Sequence, residues 1–150
     1  MEFRILGPLE IVVDGRRIPS PAAPRLRTLL AVLLMRPHRV VSVDDLIDRL
    51  WTGDTQPANP TAAIHTYVRR LREIVGPDVL QTSAGGYLLA AEPADLVAFR
   101  SYLAKAATDP ADRVEHLKLA LEQWRGEPLA VDRHVAAGLM QERLTALEQH

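Results

Sequence analysis

The stretch 60-PTAAIHTYVRRLREIVG-76 decides how this chain folds. Its apolar side chains recur at intervals of three and four residues, and at about 100° per residue they gather on one stripe of a helix. Asn59 is a good N-cap, Pro60 fits the first helical turn, and Gly76 followed by Pro77 is a stop signal. The stripe predicted to be buried consists of Ile64, Tyr67, Val68, Leu71, Ile74 and Val75.

The opposite arc of this helix is polar and basic. Arg can donate two hydrogen bonds to guanine, Thr can contact the methyl group of thymine, and further Arg residues can neutralise phosphates. A short helix with such a free face suits readout of the DNA major groove, and we interpret it as the recognition helix of a helix-turn-helix. The alternative is an ordinary surface helix with a solvated charged face. The arc consists of Thr61, His65, Thr66, Arg69, Arg72 and Glu73, with Arg70 at one border.

The first residues of the chain predict a small antiparallel sheet. Phe3–Leu6 and Leu9–Val13 are short β-type runs separated by Gly7-Pro8. Asp14-Gly15 is a hairpin turn signal, and it leads into a third run at Arg17-Ile18. We expect these runs to open the fold as paired strands.

Two helices should follow this sheet. Residues Arg25 to Met35 are rich in leucine and valine, so this helix belongs to the core, and Pro37 ends it. The pattern Ser42-Val43-Asp44-Asp45 caps a second helix that closes at Trp51. A polar loop, Thr52–Ala58, then separates the second helix from the Arg-bearing one, and it is longer than the turn of a simple helix-turn-helix.

A β-hairpin is predicted directly behind the Arg-bearing helix. Val79–Thr82 and Tyr87–Ala90 are short β runs, and the glycines of Ser83-Ala84-Gly85-Gly86 permit a tight turn between them. A hairpin in this position is a wing. The predicted fold class is therefore α+β, a winged helix-turn-helix with an N-terminal antiparallel sheet, three helices and a C-terminal wing. An all-α segment should follow, with helices over residues 95–107, 110–125 and 135–150.

Composition and charge narrow the class of protein. The chain is 47% hydrophobic and 25% charged, as is ordinary for a globular protein, and it holds no cysteine for disulfides or thiolate metal sites. With no long apolar run and no signal peptide, we expect a cytoplasmic protein. Residues 1–90 carry 11 basic and 9 acidic residues, a net +2, whereas residues 91–150 carry 7 and 10, a net −3. Because +2 is a weak field for a DNA-binding domain, affinity should depend on a few well-placed Arg residues.

No motif for catalysis, a metal or a cofactor is present. The sequence lacks a Gly-rich phosphate loop, an H-E-x-x-H pattern and a nucleophile with its base, and Gly85-Gly86 alone is too weak a signal. His65 has no second His, Asp or Glu at a ligand spacing, which argues against a metal site around it. We therefore expect neither an enzyme nor a bound cofactor.

Four segments carry a resemblance to a known family. FRILGPLEI (3–11), RTLLAVLLMRPHRVVSVDDLIDRLW (27–51), IHTYVRRLREIVG (64–76) and GGYLL (85–89) together resemble the DNA-binding domain of the Streptomyces antibiotic regulatory protein family. Its winged helix is similar to the effector domain of OmpR-type two-component regulators. The segment LALEQWRGEPLA (119–130) resembles the start of a bacterial transcriptional activation domain. The resemblance divides the chain into a DNA-binding domain, residues 1–92, and a partial activation domain, residues 93–150.

The resemblance also implies roles for individual residues. Thr66 and Arg70 match base-facing positions, whereas the phosphate-side positions are matched by Arg69, Arg72 and Tyr67. Trp51 and Tyr87 match residues that touch the DNA backbone, although a Trp that closes a helix also fits the core and Tyr67 falls on the buried stripe. Thr61 and His65 complete the candidate DNA site, with plain solvation as the alternative for His65. The wing departs from the family pattern because its turn offers no Arg or Lys to the minor groove.

The loop after the second helix has an implied partner of its own. In OmpR-type domains the matching loop faces RNA polymerase, and Asp54 is the only charge in this one. The predicted polymerase contact consists of Thr52, Gly53, Asp54, Thr55 and Gln56. The alternative is a plain connector.

These observations predict a sequence-specific transcriptional regulator. The resemblance implies an activator that binds direct repeats near promoters as a homodimer or tandem pair and contacts RNA polymerase. Direct repeats require a head-to-tail arrangement of the bound copies. The alternative is a protein-interaction module whose winged helix is a scaffold that does not bind DNA. The weak net charge and the wing without Arg favour that alternative, and the Arg residues on one helical face oppose it.

Overall fold

The computed structural model describes residues 1–53, 55–127 and 133–149, with no side-chain description for residues 133–136. The chain forms two compact units. The winged-helix unit is Pro19–Glu92, and the sheet-helix unit is Met1–Ile18 together with Pro93–His150. The elements in chain order are β1 (Glu2–Arg4), β2 (Glu10–Val13), β3 (Arg16–Ile18), α1 (Pro24–Leu34), β4 (Val40–Ser42), α2 (Val43–Leu50), α3 (Pro60–Val75), β5 (Leu80–Ser83), β6 (Gly86–Leu89), α4 (Ala94–Thr108), α5 (Arg113–Leu121) and α6 (Arg133–Gln149).

Helices α1 and α2 are the scaffold of the winged-helix unit. Every residue of α1 from Leu29 to Leu34 is buried, which agrees with its almost wholly apolar sequence. The predicted cap of α2 is present, because Ser42 Oγ accepts a hydrogen bond from the amide of Asp45 at 3.1 Å. Leu46 and Leu50 of α2 are buried on the side that faces this core.

Helix α3 buries the predicted stripe. Ile64, Val68, Leu71 and Val75 are each at most 4% exposed, and the two border residues of the stripe are half-buried. Its N-cap is Asn59, whose Oδ1 accepts a hydrogen bond from the amide of Ala62 at 3.1 Å. At the other end Gly76 has φ +93°, a conformation that favours glycine. These two ends fix the length of α3 and leave its opposite arc to solvent.

The wing belongs to a three-stranded antiparallel sheet with strand order β4-β6-β5. The hairpin of β5 and β6 was predicted, with Thr82 opposite Tyr87. Strand β4 was not predicted, although Val40 and Val41 supplied a β-branched signal, and Val41 also lies opposite Tyr87. A Cβ atom on Gly86 would overlap the carbonyl oxygen of Val41, so only glycine allows β4 and β6 to pair here.

The sheet-helix unit begins with an antiparallel sheet of order β1-β2-β3. The predicted hairpin turn is present, since Asp14 and Gly15 have φ of 50° and 78° as a two-residue turn requires. Helix α5 begins at Arg113 rather than at the predicted Pro110. Among the described residues, none of the helices has both the length and the apolar character needed to cross a membrane. The core of this unit includes Phe3, Ile11, Phe99, Leu117, Ala120 and Trp124.

The opening sheet packs with the C-terminal helices, whereas the prediction grouped it with residues 19–92. The carboxylate of Asp95 explains this arrangement. It accepts hydrogen bonds from the amides of Ile5 at 3.0 Å and Leu6 at 2.7 Å, so the end of β1 is bound to the first turn of α4. Phe3 also forms a parallel bridge with Pro93. The winged-helix unit is therefore an insertion in the sequence of the other unit, while the extent of a DNA-binding domain stays a prediction.

Candidate nucleic-acid interface

The polar arc of α3 is open to solvent. Thr61, His65, Arg69 and Arg70 are exposed, and Thr66 is half-buried. They lie on successive turns of a helix that is fixed at both ends by its caps. The structure thus brings together on one face most of the residues that the sequence proposed for DNA contact.

Arg69 and Arg70 are the unpaired cations of this arc. Within the described part of the chain, neither guanidinium has a hydrogen bond or an ion pair with another residue. Glu73 is the only acid on the arc, and it forms no ion pair with either of them there. A planar guanidinium that is not committed elsewhere can bind a phosphate or the edge of guanine through two parallel hydrogen bonds.

Thr66 has its hydroxyl group committed to the backbone. Its Oγ1 donates to the carbonyl oxygen of Ala62 at 3.1 Å, the bond that Thr commonly makes one turn back in a helix. What remains for an external partner is the methyl group and an oxygen that can accept. A methyl group is the part of Thr that contacts the C5-methyl of thymine.

Trp51 and Tyr87 lie in the core of the winged-helix unit, 7% and 8% exposed. The ring centroids of Trp51 and Tyr67 lie 6.2 Å apart, and those of Tyr87 and His65 lie 6.3 Å apart with the two rings nearly perpendicular. Arg25 lies 5.5 Å from the centroid of the Trp51 ring. Their burial agrees with the core alternative raised for Trp51. Both rings pack against residues of α3, Trp51 against Tyr67 and Tyr87 against His65. Backbone contact by these two residues stays a prediction.

Arg72 differs from the other two Arg residues of the helix. Its Nε donates to the carbonyl oxygen of Leu80 at 2.9 Å, and its Nη2 donates to Thr82 Oγ1 at 2.8 Å. The guanidinium is therefore tied to β5. Its predicted contact with a phosphate would have to compete with these two bonds.

The loop proposed for polymerase contact begins at a capped helix end. Thr52 Oγ1 donates to the carbonyl oxygen of Asp48 at 2.7 Å, and Gly53 has φ +74°. Thr55 and Gln56 are exposed. Asp54, the only charged residue predicted in this contact, lies outside the described residues, and the polymerase contact stays a prediction.

A charged network lies where α1 ends beside α2. Asp45 accepts hydrogen bonds from Arg36 and, at 3.2 Å, from Arg49 Nε. Burial by itself would raise the pKa of the Asp45 carboxyl, but the hydrogen bonds and positive charges of Arg36 and Arg49 outweigh it and hold that pKa below its ordinary value. Two Arg residues are thus partly neutralised by one carboxylate.

One cluster of the sheet-helix unit pairs three Arg residues with a single buried acid. Glu10, only 9% exposed, forms ion pairs with Arg17 at 3.1 Å, Arg125 at 3.3 Å and Arg4 at 3.5 Å. Arg125 also lies 3.6 Å from the carboxylate of Asp95. Each of these Arg residues thus lies beside at least one acid of its own unit.

One group of possible metal ligands was not anticipated from the sequence. In the described ranges, Asp109, Asp112 and His116 place one ligand atom each within 4.8 Å of the others, around the turn between α4 and α5. His116 Nε2 lies 3.4 Å from Asp109 Oδ2, a distance that suits an ion pair once the imidazole is protonated. This contact joins α5 to the end of α4, and no metal enters the function proposed below.

Comparisons with known proteins agree with this fold. Residues 19–89 match the family described as "Transcriptional regulatory protein, C terminal". The chain is 37% identical over 138 residues to "Regulatory protein AfsR" of Streptomyces coelicolor, covering 87% of this chain and 14% of that protein. It is 33% identical to "Regulatory protein DnrI" of Streptomyces peucetius, covering 99% of this chain and 62% of that protein. The solved structure of Mycobacterium tuberculosis EmbR, in complex with a low affinity phosphopeptide, superimposes with a TM-score of 0.84 at 33% identity, over 97% of this chain and 43% of that one.

The winged helix and the match over residues 19–89 place this part of the chain in the OmpR-type class of transcriptional regulatory protein domains. Within that class, the chain belongs to the Streptomyces antibiotic regulatory protein family, as the four sequence segments predicted. The predicted fold class is confirmed as well. The chain spans 14% of AfsR and 62% of DnrI, so the matched part is a fraction of these relatives.

Proposed function

We propose that this chain binds double-stranded DNA sequence-specifically and regulates transcription, with α3 in the major groove. The observation that carries the proposal is the pair Arg69 and Arg70, exposed on a helix capped at both ends and without a partner among the described residues. Two uncommitted guanidinium groups on the free face of a winged helix are matched chemically by guanine edges and phosphates.

Each side chain of the arc has a role that fits its surroundings. Arg70 and Thr66 would contact base edges, Arg70 through guanine and Thr66 through the methyl group of thymine. Arg69 would neutralise a phosphate, and Thr61 and His65 would lie along the backbone near the start of the helix. Such a small number of contacts gives a modest affinity, which is why a second bound copy would matter.

We further propose an activator that binds direct repeats near promoters. Two copies would lie head to tail, as a homodimer or a tandem pair, because a repeat has no two-fold axis. The loop Thr52–Gln56 would contact RNA polymerase, and the helices of the sheet-helix unit would regulate or pair the copies. This activity belongs in the cytoplasm, where bacterial DNA lies.

The test begins with a binding site selected from a library of random duplexes and labelled for fluorescence anisotropy. We expect the wild-type chain to prefer the selected duplex over its scrambled version and to lose affinity steeply as salt rises, because bound phosphates release counterions. The Arg69→Ala, Arg70→Ala double variant should bind both duplexes weakly. Arg113→Ala is the matched control, since it removes an exposed Arg from α5.

The alternative function is a protein-interaction module built on the same scaffold. It is favoured by the wing, where residues 79–90 contain no Arg or Lys. Selection that enriches no duplex, or equal binding of the selected and scrambled duplexes, would support this alternative. Equal affinity of the double variant and the wild type would show that DNA binding, if present, does not use α3.

A further inference from the structure

Arg72 occupies the corner between the recognition helix and the wing. Its Nε and Nη2 donate to the carbonyl oxygen of Leu80 at 2.9 Å and to Thr82 Oγ1 at 2.8 Å. Because Leu80 and Thr82 are two positions apart on β5, one guanidinium holds the same strand at two points. A lysine ammonium is a point charge on a flexible chain and lacks this fixed fork of donors.

Strand β5 pairs with another strand on one side only within its sheet. It is the edge strand of the order β4-β6-β5, and residues 81–85 around its tip are exposed. The connection from α3 depends on two backbone hydrogen bonds, from Gly76 N to the Arg72 carbonyl at 2.8 Å and from Leu80 N to the Gly76 carbonyl at 3.1 Å. Arg72 adds a side-chain connection to this short backbone link, and it does so from the last turns of α3.

We propose that Arg72 is a positioning residue, which fixes the wing strand β5 beside the exposed face of α3 instead of binding a phosphate. Two nitrogens of the Arg72 guanidinium already donate hydrogen bonds within the protein. The guanidinium groups of Arg69 and Arg70 donate none to any described residue. The consequence for DNA rests on the proposed function. The two hydrogen bonds from Arg72 to β5, which we call the brace, are a property of the free protein and are tested without DNA.

The first experiment measures hydrogen exchange of the β5 amides in the free protein. Arg72→Lys should make these amides exchange about thirtyfold faster, because two hydrogen bonds are lost and each is worth about 1 kcal/mol. Thr82→Val removes one acceptor and should give a smaller increase of the same kind. The double variant should exchange no faster than Arg72→Lys alone, since both changes break the same connection. Thr55→Val, a change at an exposed Thr in a loop, is the matched control.

Unchanged exchange of the β5 amides in Arg72→Lys would overturn the brace. So would increases that multiply in the double variant, because they would show that Arg72 and Thr82 act independently. Both outcomes are read on the folded protein, with the exchange of α1 amides as the measure that the core is intact.

The second experiment separates positioning from phosphate binding on the selected duplex. A positioning residue loses its effect when the fork is lost, so Arg72→Lys and Arg72→Gln should weaken binding alike, by about fivefold. A residue that binds a phosphate keeps much of its effect as long as its positive charge remains. Wild-type affinity for DNA in Arg72→Lys, with a loss of affinity only in Arg72→Gln, would therefore overturn the proposal. The matched pair Arg69→Lys and Arg69→Gln should show that second pattern. A wild type without preference for the selected duplex would refute the proposed function, and hydrogen exchange would still decide whether the brace exists.

Discussion

Two clusters of Arg residues in this molecule share their chemistry and differ in their surroundings. On α3, Arg69 and Arg70 are exposed and have no partner among the described residues. In the sheet-helix unit, Arg125 faces the buried carboxylates of Glu10 and Asp95. The same side chain is thus an open donor in one place and one half of an internal ion pair in the other.

On the proposed function, this difference explains how a chain of net charge −1 would carry a surface for a polyanion. Net charge adds every cation, including those already matched by an acid a few ångströms away. A phosphate responds to the cations that are uncommitted and close together, because screening limits the reach of charges to about 10 Å at moderate salt. On that proposal, pairing within the protein, more than composition, decides which Arg residues are available to DNA.

The largest effect should come from breaking the internal cluster. Asp95→Ala leaves the amides of Ile5 and Leu6 without their acceptor and Arg125 without one of its acids, so it should lower the free energy of unfolding by about 3 kcal/mol. Urea unfolding followed by the fluorescence of Trp124, in a Trp51→Phe background, measures this loss. Asp109→Ala removes a more exposed carboxylate and is the control. A loss below about 1 kcal/mol would contradict the role given to Asp95.

An intermediate effect should come from removing single cations in the two clusters. Arg70→Ala should reduce the preference for the selected duplex by about 1 to 3 kcal/mol, and Arg69→Ala should lower the salt dependence of binding by about one unit of slope. Arg125→Ala should change neither quantity, although it should destabilise the sheet-helix unit. Anisotropy titrations at several salt concentrations measure all three variants. A change of slope in Arg125→Ala as large as that in Arg69→Ala would erase the distinction between the clusters.

The smallest effect should come from Asp45, whose pairing with Arg36 and Arg49 is intermediate between the two clusters. Its pKa is lower in the folded chain than in the unfolded chain, so its ionised form stabilises the fold at pH values above the unfolded pKa. That stability is lost as the pH falls through the folded pKa. Because the carboxylate is 35% exposed, Asp45→Asn should cost at most about 1 kcal/mol at neutral pH. Urea unfolding at several pH values should show the difference from wild type shrinking as the pH falls below the ordinary Asp pKa of about 3.9, and a constant difference would contradict this role.

Local features of the sequence predicted much of the fold. The stripe of α3, the caps at Ser42 and Asn59 and the turn at Asp14-Gly15 depend on residues within one or two turns of each other, and all are present. Strand β4 was missed because three residues form a strand only when a distant partner, here β6, pairs with them. The packing of the opening sheet was missed for a related reason, because it depends on a carboxylate about 90 residues further along the chain.

The candidate site was likewise predicted in part, where it depends on local sequence, and missed where it depends on distant residues. The arc of polar residues on α3 follows from helical periodicity, and the structure exposes it. Periodicity could not distinguish Arg72 from Arg69, since both lie on that arc, and only the hydrogen bonds to Leu80 and Thr82 separate them. The burial of Trp51 and Tyr87 likewise depends on neighbours from other elements.

The discontinuous sheet-helix unit has a consequence for the order of folding during synthesis. All residues of the winged-helix unit have been translated once the ribosome passes Glu92. Strands β1 to β3 emerge earlier, yet their partners Asp95 and Arg125 come later, and at about 5 to 20 residues per second the wait lasts several seconds. The nascent chain should therefore complete the winged-helix unit first, and strands β1 to β3 should lack the side chains that bind them until Arg125 is made.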